Sequence, residues 1–176
     1  MWLKERHYQS WQNKLRTNTW FRRWWRFWSN YSPVFFIVAF LFAIFEPAFY
    51  QLLLLVAIVI VLTRGVAITL INHFYKVERP YQKYGFNPLI SRLFSLKTDS
   101  PNSFPSRHAI VFAGISAVFM VMIPVVGLLL LLVTIMIGRG RVILGYHYPE
   151  DVIAGVVMGL VIGYLTTLVA IPLLFT

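Results

Sequence analysis

The amino-acid sequence predicts an all-α integral membrane protein, with about five transmembrane helices and an N-terminal amphipathic helix at the membrane interface. Of its 176 residues, 59% are hydrophobic, and the mean hydropathy is +0.69. Soluble domains are nearer to half apolar. Several segments also exceed the roughly 18 apolar residues that indicate a membrane span. The chain contains no Cys, which excludes disulfides and thiolate metal ligands.

The N-terminal segment, residues 1–29, combines basic and aromatic side chains. Seven of its side chains are Lys or Arg. In the stretch "WFRRWWRFW" a helical projection places the aromatic side chains on one broad arc and the arginines on the other. This pattern predicts a helix that lies in the interface with its Trp residues at headgroup depth. We interpret it as a membrane anchor, with a role in guiding a lipid substrate as the alternative. Residues 30–176 are predicted to form a single membrane-embedded domain.

Five apolar segments follow, and each predicts a span. The first is short and ends at Glu46 and Pro47, the second contains Arg64, and Pro124 separates the third from the fourth. The predicted spans are residues 33–45, 48–74, 108–123, 125–141 and 149–174. One long loop, residues 78–107, lies between the second and third spans. Its length and its content of Pro, Asn and Ser are typical of a functional or disordered loop.

The charge balance favours an anionic partner. The chain carries 16 Lys and Arg against 6 Asp and Glu, a formal net charge of +10. In a membrane protein this excess indicates anionic lipid headgroups, phosphate ligands or topology signals, and we expect no nucleic acid partner. The polar clusters all face one side if the N-terminal helix does not cross the membrane. We expect a multi-pass protein of the cytoplasmic (inner) membrane, and the positive-inside rule turns the polar side toward the cytoplasm.

Three polar clusters lie at span ends on that side. They are "NHFYKVERPY" (72–81), "PSRH" (105–108) and "GRVILGYHYPED" (140–151). Singly, an Arg or a His at a span end is more often a snorkelling or structural residue. Together the clusters bring three arginines and two histidines to one membrane level, with few acids to pair with. Guanidinium groups in this setting suit a phosphate. The residues concerned are Arg79, Arg107, Arg141, His108, His147 and Asp151.

The spacing within the clusters assigns chemical roles. Ser106 can cap the helix that begins there, and the amides of Ser106, Arg107 and His108 can cradle an anion. His108 can then give a proton to a leaving oxygen. Asp151, four residues after His147, can reach one imidazole nitrogen and leave the other as a nucleophile. This pattern predicts phosphoryl transfer through a phosphohistidine. It requires no metal ion or other cofactor, because a two-metal site needs several carboxylates.

These residues resemble the type-2 phosphatidic acid phosphatases, a family of membrane lipid phosphate phosphatases related to the vanadium haloperoxidases. The family signature joins a lysine and Arg-Pro, then Pro-Ser-Gly-His, then Ser-Arg followed by a His and an Asp. The third part of the signature is highly specific, and the combination is more specific still. The resemblance implies that His147 is the nucleophile, Asp151 its orienting partner and His108 the general acid. The phosphate-binding residues that it implies are Arg79, Arg141, Ser106 and Arg107.

The sequence departs from the signature at three positions. Asn72 stands at the lysine position, where it can bind oxygen as a neutral donor. Alternatively Lys76, one turn along the same helix face, replaces the missing cation. Arg107 stands at the glycine position, where an added charge favours a diphosphate or a larger anionic headgroup. Gly140 replaces the serine before the arginine of the third part. We add Asn72 and Lys76 to the candidate phosphate-binding residues.

The resemblance implies a phosphatase for a lipid phosphate or diphosphate. The substrates it suggests are undecaprenyl diphosphate, phosphatidylglycerophosphate, phosphatidic acid and a lipid A phosphate, and "NSFPSRH" looks most like the undecaprenyl-diphosphatase group. Two alternatives stay open. One is a phosphotransferase that passes the phosphate to another lipid, and the other is a non-enzymatic protein that binds anionic lipid. Many of the enzymes that this chain resembles act at the outer face of the cytoplasmic membrane. This implied orientation conflicts with the cytoplasmic orientation that the charge bias predicts.

The last predicted span contains a repeat of small residues. The stretch "GVVMGLVIG" places Gly155, Gly159 and Gly163 four residues apart. Small residues at this spacing allow two helices to approach closely. We therefore predict a packing face that continues from Asp151 and holds that end of the span against a neighbouring helix.

Overall fold

A computed structural model describes residues 5–86 and 102–174 of the chain. Within these ranges the regular structure is helical, apart from one isolated antiparallel bridge between Glu78 and Asn102. Residues 1–4 of the predicted N-terminal helix and residues 87–101 of the predicted long loop lie outside the described residues. The α-helices are α1 (Glu5–Thr17), α2 (Thr19–Arg26), α3 (Val34–Ala43), α4 (Phe49–Ile60), α5 (Ile68–Phe74), α6 (Pro80–Lys83), α7 (Arg107–Met122), α8 (Pro124–Ile143) and α9 (Pro149–Leu174). The predicted all-α class is confirmed for the described residues.

Each of the five predicted spans coincides with an apolar helix. Three are long and apolar enough to cross a membrane: Phe49–Phe74, Pro124–Ile143 and Pro149–Leu173. The first of these joins α4 to α5 through a π-helical stretch, Val61–Ala67. Helices α3 and α7 have 10 and 16 residues. They are about 15 and 24 Å long, against a hydrocarbon core of about 30 Å. A multi-pass membrane protein is therefore confirmed, and the number of five spans stays a prediction.

The N-terminal segment differs from the single helix predicted over residues 1–29. Its helical backbone breaks at Asn18, where φ is −107° and ψ is 104°. The Asn18 side chain accepts a hydrogen bond from the amide of Phe21 at 2.9 Å, as an N-cap residue does. The segment therefore forms two helices, α1 and α2, and the prediction of one helix is wrong on this point.

Helix α2 runs on into the first apolar helix. A π-helical stretch, Phe27–Tyr31, follows α2 directly. Ser32 and Pro33 then keep helical dihedral angles, with φ of −59° and −54°. Pro33 is tolerated because it stands at the start of α3, where its missing N–H costs little. Only the turn at Ser32 and Pro33 therefore separates the segment predicted as interfacial from the first predicted span.

Helices α1 and α2 pack against the end of α8. Trp25 is buried in a small cluster with apolar side chains at that end. Gly140 permits the contact, because a Cβ atom there would lie 3.3 Å from the carbonyl oxygen of Trp25. Trp20 and Trp24 are exposed. The aromatic side chains predicted to share one arc are therefore divided between protein packing and the outer surface, and the interfacial position of the segment stays a prediction.

Helix α7 lies at the centre of the bundle, in contact with α4, α8 and α9. The glycine repeat of α9 faces it, because a Cβ atom at Gly159 would lie 2.2 Å from the carbonyl oxygen of Ile110. At Gly163 the corresponding distance to the carbonyl oxygen of Gly114 is 2.3 Å, and Gly155 meets the first turn of α7 in the same way. The predicted packing face is confirmed. It holds the N-terminal ends of α7 and α9 side by side.

Candidate active site

The three polar clusters meet where α7 and α9 begin. The segment before α7 is hydrogen-bonded on two sides. The amide of Ser103 donates to the carbonyl oxygen of Val77 at 2.7 Å, and the amide of Ser106 donates to that of Asp151 at 3.0 Å. The first bond attaches this segment to the first cluster, and the second attaches it to the third. The clusters therefore come together as their common position at span ends predicts.

His147 is buried, and its two ring nitrogens have different partners. Nδ1 lies 2.8 Å from the carbonyl oxygen of Ser103. A carbonyl oxygen only accepts, so this contact assigns the ring proton to Nδ1. Nε2 then presents a lone pair, 3.4 Å from Nη1 of Arg79. Burial, partly opposed by the nearby negative charge of Asp151, lowers the pKa of His147 to about 4. The ring is therefore neutral near pH 7, the state that a nucleophilic imidazole requires.

Asp151 approaches the same imidazole without a direct hydrogen bond to it. Its Oδ2 atom lies 3.8 Å from Nδ1 of His147. The same oxygen accepts hydrogen bonds from the amide of Tyr148 at 2.8 Å and from the hydroxyl of Ser103 at 2.5 Å. The predicted approach of Asp151 to an imidazole nitrogen is therefore present, but at ion-pair distance rather than hydrogen-bond distance. Ser103 stands between the two side chains, because its carbonyl binds the imidazole while its hydroxyl binds the carboxylate.

Arg79 precedes α6 and extends its side chain to the loop that carries His147. Its backbone is extended, with a ψ of 150°, as the following Pro80 favours. Its Nη1 donates to the carbonyl oxygen of Tyr146 at 3.0 Å, and 3% of the residue is exposed. Burial lowers the pKa of Arg79, but an arginine still remains a cation at neutral pH. A positive charge is thus fixed beside Nε2 of His147.

Arg141, near the end of α8, contacts His108, near the start of α7. Nη2 of Arg141 lies 2.7 Å from Nε2 of His108, and its guanidinium also lies over the ring of Tyr146 at 5.0 Å. A guanidinium only donates, so Nε2 of His108 is the acceptor and carries no proton in this arrangement. For His108 to act as the predicted acid at Nε2, Arg141 must first turn toward an anion.

Four donor atoms of the site are buried without a hydrogen-bond partner among the described residues. They are Nε of Arg79, Nε of Arg141, Nη2 of Arg107 and Oγ of Ser106. Buried polar atoms are nearly always paired, so a group of unpaired donors indicates a place where a ligand or water binds. Three of these donors are guanidinium nitrogens, which bind phosphate oxygens well.

Ser106 occupies the N-cap of α7, as predicted, but its contacts differ from the prediction. Its hydroxyl makes no capping hydrogen bond. Its amide is used by the carbonyl oxygen of Asp151, so it is not left for an anion. The predicted cradle of three amides at the start of α7 therefore loses its first member, and the Ser106 hydroxyl is the group left to donate.

Arg107, the first residue of α7, is partly buried and lies within electrostatic range of Arg64. Arg64 belongs to the π-helical stretch of the second span, where a charged side chain is costly. Neither arginine forms an ion pair within the described part of the chain. The two cations repel one another, and an anion near both would relieve that repulsion.

Asn72 and Lys76, the two candidates to replace the lysine of the family signature, have different surroundings. Oδ1 of Asn72 accepts a hydrogen bond from Nδ2 of Asn102 at 2.5 Å, so its side chain joins the first cluster to the segment before α7. Lys76 is exposed and forms no hydrogen bond or ion pair with another described residue. Neither side chain is brought against His147, and a role of either in phosphate binding stays a prediction.

Three residues of the site were not predicted. Ser103 joins His147 to Asp151, as described above. Asn102 accepts a hydrogen bond from the amide of Val77 at 2.7 Å. Tyr8, on α1, is fully buried, and its hydroxyl lies 3.5 Å from the carbonyl oxygen of His147. The only signal for Ser103 and Asn102 is that they precede Phe-Pro in "NSFPSRH". Tyr8 has none, because its contact joins residues 139 positions apart.

The helices and the site define a class of protein: a helical membrane protein with a buried cluster of histidine, arginine and aspartate that is suited to an anion. Residues 51–172, well over half of the chain, match the PAP2 superfamily, and the chain belongs to this superfamily. The matched range contains all the predicted site residues. The resemblance inferred from the three clusters is therefore confirmed.

Similar proteins are of two kinds. One is the bacitracin transport permease protein BcrC of Bacillus licheniformis, 35% identical over 79 residues, which are 45% of this chain and 38% of that protein. The lipid A 1-phosphatases of Rhizobium johnstonii and Rhizobium etli are 37% and 38% identical over 67 and 69 residues, which are 38% and 39% of this chain and 28% of each relative. The chain thus aligns with well under half of these relatives. No solved structure matches the chain.

Proposed function

We propose that this chain is a membrane phosphatase that removes phosphate from a lipid phosphate or diphosphate, with His147 as the nucleophile. Membership of the PAP2 superfamily and the similarity to proteins named lipid A 1-phosphatase support a lipid phosphatase. One observation carries the proposal. The contact of Nδ1 with Ser103 leaves Nε2 of His147 unprotonated beside the cationic Arg79.

In the first step, Nε2 of His147 attacks the phosphorus atom, and the bond from phosphorus to the lipid oxygen breaks. The electron pair of that bond stays on the lipid oxygen, which takes a proton from His108. Binding of the phosphate draws Arg141 away from His108 and allows Nε2 of His108 to hold that proton beforehand. The products are a phosphohistidine and the lipid alcohol, or the lipid monophosphate when the substrate is a diphosphate.

In the second step, water attacks the phosphohistidine. His108, now neutral, takes a proton from the water as the new phosphorus–oxygen bond forms. The phosphorus–nitrogen bond breaks, and its electron pair returns to Nε2 of His147. Inorganic phosphate leaves, and both histidines regain the forms in which they began the cycle. The same residue thus serves as acid in one step and base in the next.

The unpaired donors would bind the phosphate oxygens throughout the reaction. Arg79 and Arg141 place positive charge beside the phosphate oxygens, which become more negative as the phosphorus is attacked. Fixed donors of this kind stabilise a transition state strongly. The hydroxyl of Ser106 adds a further donor, and the guanidinium of Arg107 is left to bind the neighbouring phosphate of a diphosphate. Neither Asn72 nor Lys76 contacts His147, and we assign them to the headgroup beyond the reacting phosphate.

Arg107, at the start of α7, and Arg64, in the second predicted span, favour a lipid diphosphate over a monophosphate. Arg107 stands where the family signature has glycine, and Arg64 lies within electrostatic range of it. A second phosphate near both would gain charge-assisted hydrogen bonds worth about 1.5–3 kcal/mol, or roughly 10- to 100-fold in affinity. In Arg107→Gly we expect kcat/KM to fall by at least about tenfold more for undecaprenyl diphosphate than for phosphatidic acid. An equal fall for both lipids would contradict the assignment.

The proposed function is tested by phosphate release from the purified full chain in detergent micelles. The lipids to compare are undecaprenyl diphosphate, phosphatidylglycerophosphate, phosphatidic acid and lipid A. His147→Ala should lower the release of phosphate by at least about 1,000-fold. Ser116→Ala, which changes a buried serine in the middle of α7, is the matched control and should release phosphate at the normal rate. Release retained in His147→Ala would overturn the proposal.

The phosphohistidine itself can be observed, and it separates hydrolysis from transfer. Substrate labelled at its terminal phosphate should leave label on the protein that survives alkali and is lost in acid. Chasing with water alone or with an added lipid alcohol then distinguishes the two reactions. We expect free phosphate as the main product in both chases. Label recovered mainly in the added lipid would instead assign a phosphotransferase.

We also propose that the protein is a multi-pass protein of the cytoplasmic (inner) membrane. Catalysis is assigned to one domain, residues 30–176, with residues 1–29 as an accessory segment. Because the chain has no Cys, a single Lys76→Cys variant reports the side on which the exposed end of α5 lies. Labelling of intact cells by an impermeant thiol reagent would place the site outside, and labelling only after lysis would place it in the cytoplasm.

A further inference from the structure

We infer that Ser103 is a positioning residue that couples Asp151 to His147. The inference rests on the proposed role of His147 as the nucleophile. Ser103 is fully buried and lies three residues before the N-cap of α7. Neither the signature of the family nor the spacing of the clusters assigns it a role. Its contacts, rather than its sequence position, place it in the site.

The main chain of Ser103 fixes the tautomer of His147. Its carbonyl oxygen lies 2.8 Å from Nδ1, whereas the nearest carboxylate oxygen of Asp151 lies 3.8 Å away. The shorter contact lies within hydrogen-bond range and the longer one does not. The proton of the neutral imidazole is therefore held by a backbone carbonyl, and Nε2 is left with its lone pair toward Arg79.

The side chain of Ser103 fixes Asp151. Its hydroxyl lies 2.5 Å from Oδ2 of the carboxylate and 3.5 Å from Nδ1 of His147. A buried carboxylate needs hydrogen-bond donors, and Oδ2 has two here, the Ser103 hydroxyl and the amide of Tyr148. The hydroxyl is the donor on the side of the imidazole, so it sets how near the negative charge stands to the ring that becomes charged during the reaction.

The backbone of Ser103 is itself held in place. Its amide donates to the carbonyl oxygen of Val77 at 2.7 Å. The preceding Asn102 binds the amide of Val77 through Oδ1 and the carbonyl oxygen of Tyr75 through Nδ2, at 2.7 and 2.8 Å. Both groups of Ser103 that reach the site are thus carried by a segment that is hydrogen-bonded on each side. A residue held in this way can orient two reacting neighbours at once.

Substitution of Ser103 separates the two roles. In Ser103→Ala the carbonyl still holds Nδ1, but the carboxylate loses its donor on the imidazole side and can turn about the remaining bond to Tyr148. We expect kcat to fall by about 10- to 100-fold, because small errors of orientation are costly in catalysis. We expect KM to change by less than about twofold, because no phosphate-binding donor is removed.

The experiment uses the purified full chain and undecaprenyl diphosphate labelled at its terminal phosphate. The measured quantity is the rate constant for labelling the protein in a single turnover, with the protein in excess. This rate constant reports only on folded molecules, so it stays informative when Ser103→Ala lowers the folded fraction. Ser103→Cys, of similar size but with a weak donor, should show the same loss. Ser116→Ala again serves as the control, with an unchanged rate constant.

The outcomes separate this inference from the proposed function. A slower labelling step in both Ser103 variants, with KM retained, supports the positioning role. A wild-type labelling rate in Ser103→Ala and Ser103→Cys, with His147 still essential, overturns the positioning role and leaves the phosphatase proposal intact. Phosphate release without His147 overturns the proposed function, and the inference falls with it.

Discussion

Gly159→Ala should separate α7 from α9 and so disturb both stability and the site. A Cβ atom at Gly159 would lie 2.2 Å from the carbonyl oxygen of Ile110 and 2.9 Å from the Cβ atom of Ala113. A normal contact between carbon and a carbonyl oxygen is about 3.3 Å, so the oxygen is about 1 Å too close. The neighbour is backbone, which cannot rotate away as a side chain can. The two helices must therefore move apart or slide.

The expected magnitude follows from two opposed effects. Overpacking of a tight interface typically costs about 1–3 kcal/mol, whereas replacing a helical Gly by Ala gains up to about 1 kcal/mol in helix propensity. The first effect dominates because the closest contact falls about 1 Å short of the normal distance of about 3.3 Å. A shift of about 1 Å between the helices also moves His108, on α7, relative to Asp151, on α9, and misplacement on that scale can cost about 100-fold in rate.

The assay combines thermal unfolding in detergent, followed by Trp fluorescence, with phosphate release from undecaprenyl diphosphate. The matched control is Gly65→Ala, because the nearest atom to a Cβ atom at Gly65 is a Val61 methyl group 4.0 Å away. We expect a lower unfolding temperature and a lower kcat for Gly159→Ala, and neither for Gly65→Ala. Equal unfolding temperatures in the two variants would refute the packing argument.

Three further predictions concern single side chains. The pKa of His147 is about 4 in the folded chain and about 6.5 in the unfolded chain. As pH falls, the unfolded chain therefore binds the proton first. The free energy of unfolding should fall by roughly 3 kcal/mol as pH drops from 6.5 to 4. His147→Asn should lack this slope, and parallel profiles in thermal unfolding would contradict it. Asn102→Ala leaves the partly buried Val77 amide without its hydrogen bond to Asn102 and should cost about 1–3 kcal/mol of stability in the same assay. No change in unfolding temperature would show that the contact is dispensable. Tyr8→Ala removes the buried ring of α1 that contacts the loop carrying His147. It should lower stability by about 3–5 kcal/mol and also lower phosphate release. Trp20→Ala, at a residue 68% exposed, is the control and should change neither.

The sequence predicts the helices well because long apolar runs have few other stable arrangements in a membrane. Proline marks their starts: Pro124 begins α8 and Pro149 begins α9, where the missing N–H of proline is tolerated. The break at Asn18 lies just before the stretch "WFRRWWRFW" whose pattern predicts the interfacial helix, so that pattern does not reveal it. A single capping side chain interrupts the backbone there without interrupting the pattern.

The sequence predicts which residues meet at the site but not how they are hydrogen-bonded. The spacing of His147 and Asp151 by four residues predicts proximity, and the structure has their nearest atoms 3.8 Å apart. It does not reveal that Ser103, 44 residues before His147 in the chain, stands between them. A contact of this kind depends on the path of the segment before α7. That path is set by bonds such as the one from Asn102 to Val77, which no local periodicity encodes.

Gly140 stands where the family signature has a serine, and this difference explains how the N-terminal segment can pack against α8. The signature has a serine before its arginine, and a Cβ atom at Gly140 would already lie 3.2 Å from the amide nitrogen of Ser29 and 3.3 Å from the carbonyl oxygen of Trp25. A serine would add an oxygen to this crowded place, so glycine is what allows the end of α2 to lie against α8. Arg141 follows directly and contacts His108. The segment interpreted from the sequence as an anchor is therefore packed immediately behind an arginine of the site, and a displacement of α2 would move the end of α8 that carries Arg141.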